Sequence, residues 1–261
     1  MTAAVPILMC HEVSARPDPR YRKYTLTPAE LDERLDWLRA RGYHSVDMDH
    51  VFGAWRGERE LPARPVAITF DDGGRDCLAH AVPALAQRGY TATFFIVAGV
   101  VGGEMRWLHA QLGVELHAAA WPALRAAELA GMHCEAHSVT HPRLATLAPE
   151  ECRIELALGR AMMEEELGHE VRHLAYPFGS HSVETISLAR ETGYLTACTT
   201  QEALAGPAHG LLALPRVPVL GTETLDEFAH RVRTAQRAGR VRLRLEDVAR
   251  RIGLPLRRPS P

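Results

Sequence analysis

Short apolar segments alternate with longer amphipathic segments along nearly the whole of this 261-residue chain. The apolar segments have the length and composition of β-strands, and the segments between them have helical periodicity. Apolar strands that each lead into a helix predict a parallel sheet covered by helices. The expected strands are 5–10, 44–48, 65–70, 91–97, 132–137, 172–176, 195–200 and about 211–219.

Eight such units favour an α/β fold, namely a distorted (β/α) barrel with seven or eight mostly parallel strands and outer helices. Barrels of this length often form one domain, so we expect a single domain over 1–261. An open doubly wound sheet is the alternative, but neither a GxGxxG nor a Walker loop supports it. The helices are expected within 26–43 and at about 76–88, 120–130, 149–167 and 183–192.

Composition and charge argue against several classes of protein. The net charge of −2 gives no case for a nucleic-acid partner. No apolar run reaches the ~20 residues of a transmembrane helix, and the first residues lack the basic region of a signal peptide. Five cysteines without a close pair predict buried, reduced thiols. These observations together predict a cytoplasmic protein.

The C-terminal part, about 224–261, is predicted to be helical and is rich in arginine. A solvated helical face is the ordinary interpretation of such a segment. The alternative is a basic surface that contacts an anionic membrane or a phosphorylated substrate. That alternative would place the protein at the inner membrane face.

Polar residues follow the predicted strands at their C-terminal ends. A barrel builds its active site at this edge, and scattered turn residues have no reason to share it. The pattern therefore predicts one functional site. Its members are His11, Asp71, Asp72, His137, Tyr176, Pro177, Phe178 and Arg216.

A histidine pair suggests that this site binds a metal. His137 and His141 are four residues apart, so a helical turn would point both imidazoles to one side. Two imidazoles and one carboxylate form a common catalytic zinc set. The same set forms the iron triad of oxygenases, where the neighbouring Asp71 would have no role. With 14 histidines in the chain, ordinary surface or core histidines stay a third interpretation.

Several segments, in their order along the chain, resemble the polysaccharide deacetylase family, carbohydrate esterase family 4. TFDDG followed by HSVTH looks like the first two motifs of that family. The wider pattern is similar to the branch of bacterial poly-N-acetylglucosamine deacetylases, whose catalytic histidine lies in an N-terminal motif. The resemblance covers roughly 5–230, through PILMCHEVS, PVAITFDDGGRD, TATFFIV, AHSVTHPRL, AYPFG and LPRVPV.

The resemblance implies a metal-dependent hydrolase that removes the N-acetyl group from an N-acetylated amino sugar or glycan. Asp71 would be the general base, and Asp72, His137 and His141 would bind one divalent metal, with zinc as the expected ion. His11 would donate a proton to the leaving amine. The implied partner is an N-acetylated sugar, which a cytoplasmic enzyme would meet as a short, nucleotide-linked or lipid-linked compound.

The resemblance also assigns supporting roles. A backbone N–H that stabilises the oxyanion maps near Tyr176, beside Pro177 and Phe178, and Arg216 would orient Asp71. Trp107 and Phe178 are the attractive candidates for stacking on a sugar, with packing as the ordinary interpretation of each. A hydrolase of a small non-sugar amide or imide and a non-catalytic glycan-binding relative stay as alternatives.

The sequence departs from the family pattern at several positions. Gly74 stands where an aromatic residue usually follows TFDDG, and Cys10 precedes His11. Glu135 and Ala136 occupy positions where small residues such as glycine or serine are usual. The arginine-containing third motif and the DxxDW motif are absent. Since the implied base, ligands and acid are all present, we expect an active site. The departures leave its substrate preference open.

Overall fold

The computed structural model describes residues 4–236, and its centre is a sheet of eight parallel strands. A separate two-stranded sheet lies beside it. The strands are β1 (Ile7–Cys10), β2 (Glu12–Val13), β3 (Thr25–Leu26), β4 (His44–Val46), β5 (Pro65–Phe70), β6 (Thr93–Ile96), β7 (His133–Ala136), β8 (His173–Ala175), β9 (Thr196–Glu202) and β10 (Leu214–Pro218).

Seven of the eight strands close into a barrel. The order β1-β10-β9-β8-β7-β6-β5 returns to its start because β1 also pairs with β5. β4 pairs with the start of β5, and β6 pairs with its end. This sharing of β5 distorts the barrel. The predicted (β/α) barrel with seven or eight parallel strands is therefore confirmed.

Helices follow most of the barrel strands. The five helices predicted before position 200 are present, and the capping box of the first one forms, since Thr27 Oγ1 accepts from Glu30 N at 3.2 Å. The helices are α1 (Pro28–Ala40), α2 (Met48–Trp55), α3 (Arg75–Ala86), α4 (Arg106–Leu112), α5 (Trp121–Leu129), α6 (Pro149–Leu167), α7 (Val183–Glu191) and α8 (Leu225–Thr234).

Alternate strand residues pack into two different apolar clusters, as the two-residue period of a strand requires. Ile68 and Phe94 contact the helices in the larger cluster. Buried residues from six of the seven barrel strands, together with Val46 of β4, form a second cluster, which therefore fills the barrel interior. Its strand members include Ile7, Ala67, Phe95, Ala175, Cys198 and Leu214.

The arginine-rich C-terminal part is described only as far as residue 236. Residues 237–261, on which most of the predicted basic surface depends, lie outside the described residues. Arg231 of α8 is buried and donates to Glu223 and Glu202, so this arginine is not part of a solvated basic face. Among residues 4–236, no helix is both long and apolar enough to span a bilayer.

Candidate active site

A cavity of about 530 Å³ lies where the C-terminal ends of the barrel strands meet. β1, β5 and β7 each lead directly into a residue that lines it, and Phe178 follows the end of β8 by three residues, as expected for a barrel. Six of the nine predicted site residues line this cavity: His11, Asp71, Asp72, His137, His141 and Phe178. Tyr176, Pro177 and Arg216 are buried behind the lining.

Asp72, His137 and His141 bring three possible metal-binding atoms together. Asp72 Oδ1 is 3.2 Å from His141 Nε2 and 3.6 Å from His137 Nε2. All the ligand atoms lie within 4.8 Å of one another, and all three residues are buried. The separation suits ligands around one ion.

The protonation of His137 supports a bound cation. Its Nδ1 is 2.7 Å from the carbonyl oxygen of Ala175, so Nδ1 carries the proton that is donated. Burial lowers the pKa of His137 to about 4, so the ring is neutral near pH 7 and Nε2 presents a lone pair. That lone pair faces the Asp72 carboxylate, which is itself an acceptor. A divalent ion between the two acceptors would satisfy both, so these residues fit such an ion.

The segment between the two histidines is not the helical turn that their spacing predicted. Ser138 and His141 have positive φ values of 66° and 63°, which no right-handed helix allows. His141 N donates to Ser138 Oγ at 3.1 Å, and this closes a turn that brings His141 beside His137. The two imidazoles converge, but a turn rather than a helix is the reason.

Glu155 of α6 holds this turn, and the sequence patterns did not indicate it. Glu155 Oε2 accepts from Val139 N and Thr140 N, both at 2.9 Å. These are the two residues between Ser138 and His141. Several other glutamates share the polar side of α6, so no sequence signal separates Glu155 from them.

Asp71 and Arg216 form a buried, two-pronged ion pair. The two carboxylate oxygens of Asp71 accept from Nη1 and Nη2 of Arg216, each at 2.7 Å. The Arg216 side chain is fully buried and also donates to Thr199 O. Burial opposes the ionisation of Asp71, but the Arg216 guanidinium outweighs it and lowers the pKa of Asp71. Asp71 is therefore a carboxylate at neutral pH.

His11 belongs to an aromatic wall that the sequence patterns did not indicate. Its ring centre is 5.1 Å from that of Tyr24, which lies 5.5 Å from that of Tyr21. Tyr21 Oη is 3.5 Å from Asp72 Oδ2. His11 Nδ1 is buried and has no hydrogen-bond partner within residues 4–236. The His11 ring is thus positioned by packing.

Aromatic rings also cover His141. Trp107 stacks on the His141 ring at 4.3 Å, and Phe178 meets it edge-on at 4.5 Å. Both aromatic residues line the cavity, as proposed for sugar-stacking residues. By these contacts the two rings fix the orientation of the His141 imidazole.

Tyr176 uses its backbone N–H and its hydroxyl in hydrogen bonds within the barrel. Tyr176 N donates to Cys198 O at 3.0 Å in the barrel ladder, and Tyr176 Oη donates to Leu212 O. Pro177 has no N–H to offer. The Tyr176 N–H is thus engaged inside the barrel, whereas Phe178 of the same segment lines the cavity. A backbone donor near Tyr176, which the resemblance implies, therefore stays a prediction.

The cysteines are buried free thiols, as predicted. Burial raises the pKa of Cys10 and of Cys198 to about 12. Both side chains therefore stay protonated at neutral pH and are poor nucleophiles. Cys10 packs behind His11 as an apolar residue.

Two departures from the family pattern have structural explanations. The Glu135 side chain accepts from the backbone N–H groups of Arg172 and His173, at 2.9 and 2.7 Å, and so joins β7 to β8. A Cβ added to Gly74 would fall on the buried carboxyl group of Glu12. Any side chain at position 74 would overlap Glu12 Oε2, which explains why no aromatic residue stands there.

We expect Gly74→Ala to lower the free energy of unfolding by about 1–3 kcal/mol, the usual cost of overpacking. The added Cβ would overlap Glu12 Oε2 and would lie 3.3 Å from Cys77 Cβ. Gly210→Ala is the matched control, because nothing lies within 4 Å of a Cβ added there. Urea unfolding of both variants measures the difference, and equal stabilities would contradict this account of Gly74.

Glu12 is expected to make stability depend on pH. Burial, reinforced by Asp76, raises the pKa of Glu12 to about 8, whereas the unfolded value is about 4.3. Between about pH 4.3 and about pH 8 the native state therefore binds a proton that the unfolded state has lost. The free energy of unfolding falls as pH rises through this range, by up to ~1.4 kcal/mol per pH unit. Glu12→Gln should remove this slope in urea unfolding at several pH values, whereas the exposed Glu165→Gln should keep it. A flat wild-type profile would contradict the assignment.

Comparison with known proteins agrees with the fold and the motifs. The family model described as Polysaccharide deacetylase matches residues 58–197. The chain is 27% identical to the protein YxkH of Bacillus subtilis (strain 168) over 219 residues, which is 83% of this chain and 72% of that protein. It is 26% identical to the poly-β-1,6-N-acetyl-D-glucosamine N-deacetylase of Escherichia coli (strain K12), covering 82% of this chain and only 36% of the enzyme.

Solved structures share the barrel. The deacetylase PplD of Streptococcus pyogenes in complex with acetate superimposes with a TM-score of 0.76 at 23% identity, covering 88% of this chain and 98% of that one. IcaB from Ammonifex degensii gives a TM-score of 0.73 at 24% identity, covering 89% and 97%. At these identities the two structures support the fold alone. With more than half of the sequence matched by the family model, the chain belongs to the polysaccharide deacetylase family.

Proposed function

We propose that this protein is a metal-dependent hydrolase that removes the N-acetyl group from an N-acetylated amino sugar or glycan. The observation that carries the proposal is the ionised Asp71 beside the Asp72, His137 and His141 cluster, in one cavity with His11. Pure glycan binding needs neither a base nor an acid, and an iron oxygenase has no use for Asp71. The arrangement therefore favours hydrolysis.

Asp72, His137 and His141 would hold the divalent ion, and zinc suits this set of ligands. When bound, the ion would supply Lewis-acid activation of a water molecule and of the acetamide carbonyl. Asp71 would accept the proton of the attacking water, and Arg216 keeps Asp71 ionised for that purpose.

His11 would act in the step in which the amine leaves. An amine leaves poorly unless it is protonated, so a proton donor beside the acetamide nitrogen is required. His11 lines the cavity together with Asp71, and the Tyr24 ring packs against its imidazole. The same residues would serve a small non-sugar amide, but the named activity of the E. coli relative favours an N-acetylated sugar.

The test is a rate comparison with the zinc-loaded protein. We expect acetate to be released from β-1,6-linked N-acetylglucosamine oligomers or from short N-acetylated sugars, and no ring opening of cyclic imides. Enzymatic detection of acetate and ultraviolet detection of imide loss measure the two rates. Faster turnover of the imides would instead indicate a hydrolase of small non-sugar amides or imides.

A further inference from the structure

Lys23 is the only lysine among the 30 lysine and arginine residues of the sequence, and it lines the active-site cavity. It lies in the short turn Arg22–Tyr24, on the wall that carries His11. Lys23 Nζ is 3.2 Å from Tyr24 Oη and 4.8 Å from the centre of that ring. Among residues 4–236, no carboxylate forms an ion pair with it.

Arg143 places a second cation on the cavity wall. It follows His141 by two residues, and its guanidinium carbon lies 4.4 Å from the centre of the Phe178 ring. No ion pair involves Arg143 within the described part of the chain. A guanidinium stacked on a ring keeps its N–H edge available to an oxyanion.

The acidic residues of the cavity do not neutralise these two cations. Asp71 is paired with Arg216, and Glu202 shares Arg231 with Glu223. Asp72 faces the two histidines of the metal cluster. When a divalent ion is bound there, the cavity carries a net positive charge. A concave site lined by one sign of charge concentrates ligands of the opposite sign.

We propose that the substrate is an N-acetylated sugar that carries an anionic group, phosphate or carboxylate, and that Lys23 and Arg143 bind this group. The proposal rests on the proposed deacetylase function and adds the charge of the substrate to it. Lys23 and Arg143 are specificity-determining residues, since neither is needed to activate water or to protonate the amine.

The single lysine permits a test that does not depend on activity. Reductive methylation with ¹³C-formaldehyde labels only Lys23 and the terminal amine, and it keeps the charge of both. We expect the Lys23 signal of the zinc-loaded protein to shift when N-acetylglucosamine 1-phosphate or N-acetylmuramic acid is added. Neutral N-acetylglucosamine at the same concentration should leave it in place, and the terminal amine is the internal reference.

The two charged sugars distinguish the sources of the anionic group. A larger shift with the phosphate-bearing sugar indicates a phosphorylated or diphosphate-linked substrate, and a larger shift with N-acetylmuramic acid indicates an acidic sugar. Equal responses to charged and neutral sugars, or no response to either charged sugar, would overturn the inference.

The second test compares kcat/KM for charged and neutral substrates. Lys23→Gln and Arg143→Gln are each expected to lower kcat/KM for the charged substrate by about tenfold, while kcat/KM for a neutral N-acetylated oligomer changes by less than about twofold. Arg190→Gln, an exposed arginine on α7 away from the cavity, is the control and should change neither value. An unchanged ratio between charged and neutral substrates in both variants would overturn the proposal.

Deacetylase activity and anion recognition are tested by different measurements. If no sugar releases acetate but the Lys23 signal responds only to the charged sugars, the proposed deacetylase function is wrong and anion recognition stands. If acetate is released from neutral sugars at the same rate as from charged sugars, the function stands and this inference falls.

Discussion

Asp71→Asn is expected to lower kcat for acetate release by about 10²–10⁴-fold, the usual contribution of a general base. The amide keeps the shape of the carboxylate but cannot take a proton from water. Metal content should stay at the wild-type level, because the ligand atoms belong to Asp72, His137 and His141. Acetate release and elemental analysis of the same preparation measure both quantities.

The same substitution carries a structural cost, which the experiment must separate from catalysis. Arg216 is fully buried, and its two bonds to Asp71 are charge-assisted. Removing one partner of a buried ion pair typically costs 3–5 kcal/mol, so the unfolding temperature should fall. Retained metal shows that the variant is folded when it is assayed.

Asp76→Asn is the matched control, since this carboxylate is half-exposed on α3 and does not line the cavity. We expect its activity to lie within about twofold of the wild type, as is usual for a surface change away from the site. Activity that survives in Asp71→Asn, with metal still bound, would remove Asp71 from the role of base.

The barrel could be predicted because its physical signal is local. Each buried parallel strand is a short apolar run, and each outer helix has an apolar side, so the alternation can be read directly. β2 and β3 have two residues each and leave no periodic pattern. The eight-residue α2 was missed for a similar reason, although Asp47 caps it through His50 N.

The site residues could be named from strand ends and motifs, but their geometry depends on distant partners. Nothing near position 141 shows that Glu155 holds the turn or that Trp107 covers the imidazole. Likewise, Gly74 looks like an ordinary turn residue until the buried Glu12 lies against it. These contacts join residues far apart in the chain, and no local pattern encodes them.

The availability of backbone donors near Tyr176 depends on distant partners in the same way. A motif assigns a role to a position, but hydrogen bonds of the barrel decide which N–H groups remain available. Tyr176 N continues the ladder with Cys198, so its place in the sequence AYPFG does not make it a donor to substrate. The same consideration applies to any backbone role that is carried over by resemblance alone.

His137→Ala is expected to abolish stoichiometric metal binding and, with it, acetate release. The wild type should hold about one zinc per chain after purification or zinc addition. Loss of a ligand should weaken metal affinity by more than the 10–100-fold that changes around the ligands usually cost. Elemental analysis of the dialysed proteins is the measurement.

The controls separate ligand loss from damage to the fold. His133 begins the strand that leads into His137, but it faces Asp47, so His133→Ala should keep its metal. His141→Ala is a second ligand variant. His141 Nδ1 has no hydrogen-bond partner within residues 4–236, so removing the ring leaves no group there without its partner. His137→Ala does leave the buried Ala175 carbonyl without its donor, at a cost of about 1–3 kcal/mol.

The metal contents of these proteins decide between hydrolysis and glycan binding as the first hypothesis. Metal in the wild type and in His133→Ala, with none in either ligand variant, would leave hydrolysis as the function to be measured. Absence of metal from all four proteins, even with added zinc, would mean that the cluster does not bind zinc. In that case Asp71 and His11 would have no activated water to act on, and the glycan-binding alternative would become the first hypothesis.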